Sequence, residues 1–441
     1  MWKINGEYVH PTPEGLELVR KHFGMKFLPI VRSLTDTDAY KFSMGQTYHH
    51  QFGKLKTTWD FKARNVGADT NHPAKYTEED VEEIKKQIQA YCALRFSEDQ
   101  LVFLAGRMPW IKTDYLHFLS FWHPRFQDFI FESDEKVGLK LAFAGVQEYV
   151  EYYEIPVLEI CAEVYYRNHY DYDLLFEEFK SETNRKISEM KSGRYHLGVW
   201  SEFGARRRLS YEAQDWLVGR FAAEKIPGFI GTSNVLLAQK YEVTPVGTCA
   251  HEFIECVGQG DPSLNPAYSN KFAMDAWIKE YGIWNGTWLT DTIGDELCRR
   301  DMTMTYCVSF SGVRNDSGDP FVWADNWINH FNKYFEQTGK RDVRLDPKHK
   351  TLLFSNSINS LELWDKLCKH VGDRAIAAFG VGTYLSGPQS IPPLNIVAKV
   401  VLVNGMDVAK LSDDEGKEMC RNPDYVHYLK RTKQWRLDSG R

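Results

Sequence analysis

The chain predicts an α/β fold: an irregular α/β barrel with a smaller, discontinuous α+β domain. Three observations carry this. From about residue 150 the sequence repeats strand, loop and helix about seven times, and such alternation argues for a parallel sheet that closes toward a barrel. Residues 1–145 mix helical and extended segments without that repeat. After Pro393, Asn395 to Leu411 reads as two strands joined by Asn404-Gly405, the strongest short hairpin signal. A hairpin does not continue a βα repeat, so the expected division is 146–393 for the barrel and 1–145 with 394–441 for the second domain.

In the first part, Lys56 to Arg64 alternates apolar and polar residues and predicts a strand. Lys75 to Lys86 predicts a helix whose acidic first turn follows Thr77, complementing the helix dipole. The barrel strands are expected at Leu197–Phe203, Gly228–Gly231, Pro245–Cys249, Trp288–Thr290, Cys307–Val313, Thr351–Phe354 and Ala375–Phe379. Helices are expected over Asp319–Thr338 and Ser360–Val371. Aromatic residues concentrate at Trp110–Trp122, Tyr149–Tyr172 and Trp323–Tyr334, where core and subunit packing accounts for them.

With 43% hydrophobic and 26% charged residues in 441, the chain has ordinary globular composition and no low-complexity linker. A formal charge of -6 without a long basic block argues against nucleic acid as a partner. The N-terminus lacks the apolar core of a signal peptide, and no apolar run approaches the ~18 residues of a membrane span. A soluble, cytoplasmic protein without a membrane partner is expected. Eight scattered cysteines form no C-x-x-C pair and no zinc spacing, so free thiols and no protein-held metal are expected.

Barrel chemistry lies at the C-terminal ends of the strands. Collecting the residues there gives Glu202, Arg206 to Arg208, Thr232 to Asn234, His251, Asp291, Arg314, Asp316, Ser317, Asp319, Ser355, Asn356, Gly380, Gly382 and Thr383. Arginines, hydroxyls and glycines near helix starts suit phosphate oxygens, because guanidinium forks and backbone N–H groups both donate to them. The loops after Phe354 and Phe379 are adjacent in barrel order and could share one phosphate. Asp319 or Ser317 could be a mere helix cap before Pro320, but that leaves Arg314 and Asp316 unexplained. An aspartate there could accept from sugar hydroxyls or hold magnesium accompanying a pyrophosphate. Thr244 to Glu252 places His251 beside a small-residue turn, where an exposed, neutral imidazole could be a nucleophile toward a phosphoryl group or a general base.

Read together, Leu34 to Met44, Glu202-Phe-Gly-Ala-Arg-Arg, Gly231-Thr-Ser-Asn-Val, Pro245 to Glu252, Leu289-Thr-Asp-Thr, Arg314 to Pro320 and Phe379-Gly-Val-Gly-Thr resemble the nicotinate phosphoribosyltransferase family. The resemblance runs from Leu34 to Asp413. It implies a type II phosphoribosyltransferase fold and a homodimer with shared active sites. It also implies transfer of phosphoribosyl from 5-phosphoribosyl 1-pyrophosphate to nicotinate, as the first step of NAD salvage from nicotinate. Magnesium would come with the pyrophosphate, and ATP would be hydrolysed through phosphorylation of His251.

By the same resemblance, Tyr40 from the neighbouring subunit and Phe203 stack on the pyridine, with Arg206 nearby. Arg314 meets the ribosyl pyrophosphate and Asp316 the ribose. Ser355, Gly380, Gly382 and Thr383 fall in the 5-phosphate loops, and Thr232, Asp291 and Asn356 join the phosphate-binding set. Ser233 favours nicotinate, because related nicotinamide enzymes place there an aspartate that would repel a carboxylate. The alternatives are a nicotinamide phosphoribosyltransferase and a non-catalytic scaffold that binds phosphorylated ligands. A Schiff-base aldolase is disfavoured, since none of the strand-end loops holds a lysine.

Overall fold

The computed structural model describes residues 1–414, 418 and 420–439. Its main sheet has seven strands, every pair parallel. Across the sheet they run Thr244–Pro245, Phe229–Thr232, Val199–Glu202, Ile376–Val381, Thr351–Phe354, Gly312–Asn315 and Thr287–Leu289. The two outermost strands do not pair with each other among the described residues, so the sheet curls into an incomplete barrel. Trp200, Trp288, Trp364, Phe354 and Phe379 are fully buried around it.

A second sheet is antiparallel and five-stranded: Met406–Asp407, Ile396–Val403, Lys56–Ala63, Lys140–Val146 and Phe129–Glu132. The strand at 396–403 pairs with that at 56–63 along its length, joining segments more than 300 residues apart. Asn404 and Gly405 both take positive φ, 51° and 80°, as a two-residue hairpin turn requires. Beyond the hairpin the chain leaves this sheet. Val408 to Asp414 crosses the barrel mouth, where Leu411 N–H donates to Thr292 O and Asp413 N–H to Ser317 Oγ. The final helix, Pro423–Ser439, lies against the barrel, its Arg436 donating to Ala267 O and Asp301.

The helix after Thr77 spans Glu78–Cys92 and begins with a reciprocal Thr77–Asp80 capping box. Asp319 caps Pro320–Gln337, and Ser360 caps Leu361–Val371. Of the aromatic concentrations, Tyr115, Trp122, Tyr152, Tyr153, Trp323 and Trp327 are core residues.

Two expected strands differ. Cys307–Val313 splits into a helix, Met304–Ser309, and a strand that starts only at Gly312. Tyr306, Cys307 and Phe310 are buried together at helical spacing, which an apolar run of this length does not distinguish from strand alternation. Pro245–Cys249 pairs only at Thr244–Pro245, and His251 opens the helix His251–Gln259. Pairing stops because the N-terminal segment docks there: Ala39 N–H donates to Ser233 O. A Cβ at Gly247 would stand 2.6 Å from Tyr40 N, so only glycine allows the two backbones to pass.

Candidate active site

At the C-terminal ends of the barrel strands lies a cavity of about 660 Å³. Its walls include Tyr40, Phe203, Arg206, Ser233, His251, Arg314, Asp316, Ser355, Asn356, Gly380, Gly382 and Thr383, the majority of the residues singled out in the sequence. Of the residues assigned to phosphate, Thr232 and Asp291 stand outside its walls. Thr232 is buried and its hydroxyl donates to Glu202 Oε2 at 2.6 Å, so its side chain has no proton left for a phosphate. Asp291 is buried behind His251 and accepts from Ser317 Oγ at 2.5 Å. Glu202 itself is enclosed, and burial pushes its carboxyl up to about 7.

One wall of the cavity is aromatic. Tyr40 begins the helix Tyr40–Gln51, and its hydroxyl accepts from Arg206 Nη2 at 2.6 Å. Tyr40 and Arg206 belong to the same chain, so the tyrosine expected from a neighbouring subunit stands in the site of its own subunit. The docking of Asp38 and Ala39 on the strand end at Ser233 and Asn234 puts it there. Phe203 follows the strand Val199–Glu202 and lies over Gly380, where a Cβ would come within 2.4 Å of its ring. Gly380 is thus the last glycine-demanding position of the strand rather than a loop residue.

Of the three consecutive arginines, Arg206 and Arg207 line the cavity. Arg208 is fully buried and pairs with Asp36 and Glu159, a structural role. Ser233 donates its single proton to Asp38 Oδ1 at 2.5 Å, an acid the sequence reading had passed over. Its oxygen is left as an acceptor toward the cavity, not the donor expected for a carboxylate.

The adjoining wall is built around Arg314, whose guanidinium lies 6.0 Å from the centre of the Phe203 ring. Its Nε donates to Ser355 Oγ at 2.8 Å, its Nη1 to Thr248 Oγ1 at 3.1 Å and its Nη2 to Asp316 Oδ1 at 3.3 Å. Burial works against the charge of Asp316, but Arg314, His251 and Lys410 together outweigh it and hold the acid well below the usual carboxylate range. His251 is buried, not exposed. Its Nδ1 lies 3.0 Å from Thr292 Oγ1, and its Nε2 lies 3.0 Å from Asp316 Oδ2. Burial, reinforced by a neighbouring ammonium, lowers the imidazole pKa below its ordinary value.

That ammonium is Lys410, delivered by the C-terminal crossing segment. Its Nζ lies 2.8 Å from His251 Nε2, 3.1 Å from Asp291 Oδ2 and 3.7 Å from Asp316 Oδ2. His251, Asp291 and Asp316 present ligand atoms within 4.8 Å of one another, as a metal ion would need. The ammonium already sits among those atoms, so they do not fit a resident metal. Lys410, Asp38, Arg64 and Lys399 also line the cavity, and all four were missed. The alternating strand at Ile396–Val403 and the Asp-rich segment before Tyr40 were visible signals, but nothing local ties either to the barrel mouth.

Comparison with known proteins agrees with this geometry. Residues 199–435 match the nicotinate phosphoribosyltransferase (NAPRTase) family and residues 35–162 its N-terminal domain. The chain belongs to the nicotinate phosphoribosyltransferase family. Among curated relatives, the nicotinate phosphoribosyltransferase of Bordetella petrii is 36% identical over 409 residues, covering 92% of this chain and 99% of the relative. That of Ralstonia pickettii is 36% identical over 403 residues, covering 91% and 98%. A crystal structure of nicotinate phosphoribosyltransferase from Porphyromonas gingivalis superposes with a TM-score of 0.80 at 28% identity, covering 92% of this chain and all of that one. One from Vibrio cholerae gives 0.81 at 27%, covering 92% and 94%. The incomplete barrel with its added antiparallel sheet thus superposes on both of these structures over 92% of the chain. No described helix is long and apolar enough to cross a membrane.

Proposed function

We propose that this chain joins nicotinate to 5-phosphoribosyl 1-pyrophosphate, giving nicotinate mononucleotide and pyrophosphate for NAD salvage, with ATP hydrolysis coupled through phosphorylation of His251. The observation that carries this reading is one cavity in which an aromatic wall of Tyr40 and Phe203 adjoins a cationic, hydroxyl-rich wall of Arg314 and Ser355, with the Arg314 guanidinium 6.0 Å from the centre of the Phe203 ring. A flat pyridine and a phosphorylated sugar need those two surfaces side by side.

In this reading the pyridine nitrogen attacks C1 of the ribose as the C1–O bond to pyrophosphate breaks, and the leaving group takes the electron pair. Arg314, fixed from three sides, faces the negative charge that develops. Asp316 accepts from the ribose hydroxyls. The loops at Ser355, Asn356, Gly382 and Thr383 hold the 5-phosphate. Arg206 is the cation beside the aromatic wall and takes the nicotinate carboxylate, since Ser233 has given its proton to Asp38. Magnesium enters as the counter-ion of the pyrophosphate substrate and no step is assigned to it. On the ATP side, the neutral imidazole forms an N–P bond as the P–O bond to ADP breaks, and water later releases orthophosphate.

The test is product formation followed by mass spectrometry from nicotinate or nicotinamide, with 5-phosphoribosyl 1-pyrophosphate, magnesium and ATP, for wild type beside His251→Ala. The reading expects nicotinate mononucleotide from wild type and loss of ATP stimulation in the variant. Product from nicotinamide alone would replace the substrate, and product from neither would favour a non-catalytic scaffold.

A further inference from the structure

Lys410 reaches His251 from outside the barrel, on a segment fixed at both flanks. Ala409 exchanges two hydrogen bonds with Gln259, at the end of the helix that His251 begins, and Leu411 N–H donates to Thr292 O. The ammonium is therefore held against the imidazole by the same two elements that hold the imidazole. An ammonium has only protons to offer, so Nε2 must present its lone pair to Lys410 and the ring proton sits on Nδ1, donated to Thr292 Oγ1. Asp316 then takes its hydrogen bond from Arg314 rather than from the histidine, the single proton of Ser355 going to Asn315 O at 2.8 Å.

Formal charge around the neutral ring also balances. Asp291 and Asp316 face it with two negative charges, and Lys410 and Arg314 answer with two positive ones. Without Lys410, the buried Asp291 and the half-buried Asp316 would face one guanidinium, and the imidazole would acquire a proton to make up the difference.

We infer that Lys410 is a positioning residue of this site: it keeps the His251 ring neutral with its proton on Nδ1, and it cancels the aspartate charge that would repel an incoming phosphate. The second half rests on the proposed function, whereas the first concerns only the ring's protonation. A strap from the second sheet thus completes the histidine's environment, and a barrel without it would carry a protonated imidazole.

The test uses the full chain with imidazole nitrogens labelled with nitrogen-15, followed by NMR against pH, with the His251 signal assigned from His251→Asn. Lys410→Met is expected to raise the His251 midpoint by about one pH unit or more, and Lys410→Arg to leave it near the wild-type value. Should Lys410→Met fold poorly, Lys410→Met/Asp316→Asn restores the charge balance and is expected to return the midpoint to that of wild type. A midpoint unmoved in Lys410→Met, or still raised in the double variant, overturns the inference. Turnover measured in parallel at pH 7 and pH 8.5 separates the two readings. A deficit in ATP-stimulated product that shrinks at the higher pH supports both, whereas a shifted midpoint with unchanged turnover keeps the protonation role and overturns the use of His251 in the reaction.

Discussion

His251 and Glu252 are neighbours on the first turn of one helix, yet they belong to buried charge clusters of opposite design. His251 faces the cavity, where Lys410 and Arg314 balance Asp291 and Asp316. Glu252 turns the other way, to Lys41, whose Nζ also lies 2.8 Å from Glu154 and 3.4 Å from Glu151. All four of those side chains are closed to solvent, and three acids crowd one ammonium, with the Arg206 guanidinium a further cation 3.8 Å from Glu154 Oε1. The lower cluster resolves its excess by retaining protons. Burial raises Glu151 well above the carboxylate range, while at Glu154 Lys41, Arg206 and Lys399 together outweigh burial and bring it down to about 2. A balanced, open cluster suits a site that must accept an anion, whereas a closed one with acid in excess suits a floor that must not move.

The sharpest way to break this contrast is to remove a cation from each cluster. Arg314→Ala is expected to lower turnover about a hundredfold to a thousandfold, the usual cost of losing one preorganised donor to developing charge, with little change in the urea midpoint. Lys41→Met should do the reverse in kind, destabilising the fold by about 3–5 kcal/mol in urea unfolding because it strands buried carboxylates. Glu151→Gln, which removes a group already carrying a proton, should change stability little. Equal losses of stability in Arg314→Ala and Lys41→Met would erase the distinction.

A smaller effect separates the clusters by pH. Glu255 lies one turn beyond Glu252, and burial pushes its carboxyl up to about 8 from an ordinary 4.5. Between those values the unfolded chain has lost the proton and the folded chain keeps it, so stability falls as pH rises through that window. Glu255→Gln is expected to be more stable than wild type at pH 7.5, with the difference vanishing near pH 4, as read by denaturant unfolding at each pH. A difference independent of pH would mean that Glu255 is ionised in the fold.

The barrel side of this picture was largely legible in the sequence. Short apolar strands alternate with well-capped helices, and the polar residues immediately after them, from Phe203 to Thr383, do converge on one cavity. What stayed hidden arrives from elsewhere in the chain. Lys410 comes from beyond the hairpin and Asp38 from a segment docked on the far edge of the sheet, and neither has a local pattern linking it to a strand end. Thr232 looked like a phosphate ligand because its type and position fit, but its partner Glu202 is a buried acid on the adjacent strand, a pairing that only the register reveals. The helix Met304–Ser309 was read as strand for lack of a period long enough to decide.

Ser233 is the smallest and most discriminating test of that lesson. From its residue type alone, the hydroxyl should donate to the nicotinate carboxylate, and Ser233→Ala should then raise the nicotinate KM by between about tenfold and a hundredfold, as loss of a hydrogen bond to a charged group of about 1.5–3 kcal/mol implies. In the fold the proton belongs to Asp38, and the carboxylate falls to Arg206. Ser233→Ala is therefore expected to raise KM less than about tenfold and to open no activity toward nicotinamide, while Arg206→Met raises KM far more. The two variants compared in one steady-state series decide it: if Ser233→Ala costs as much as Arg206→Met, the serine touches substrate directly and Asp38 releases it when nicotinate binds.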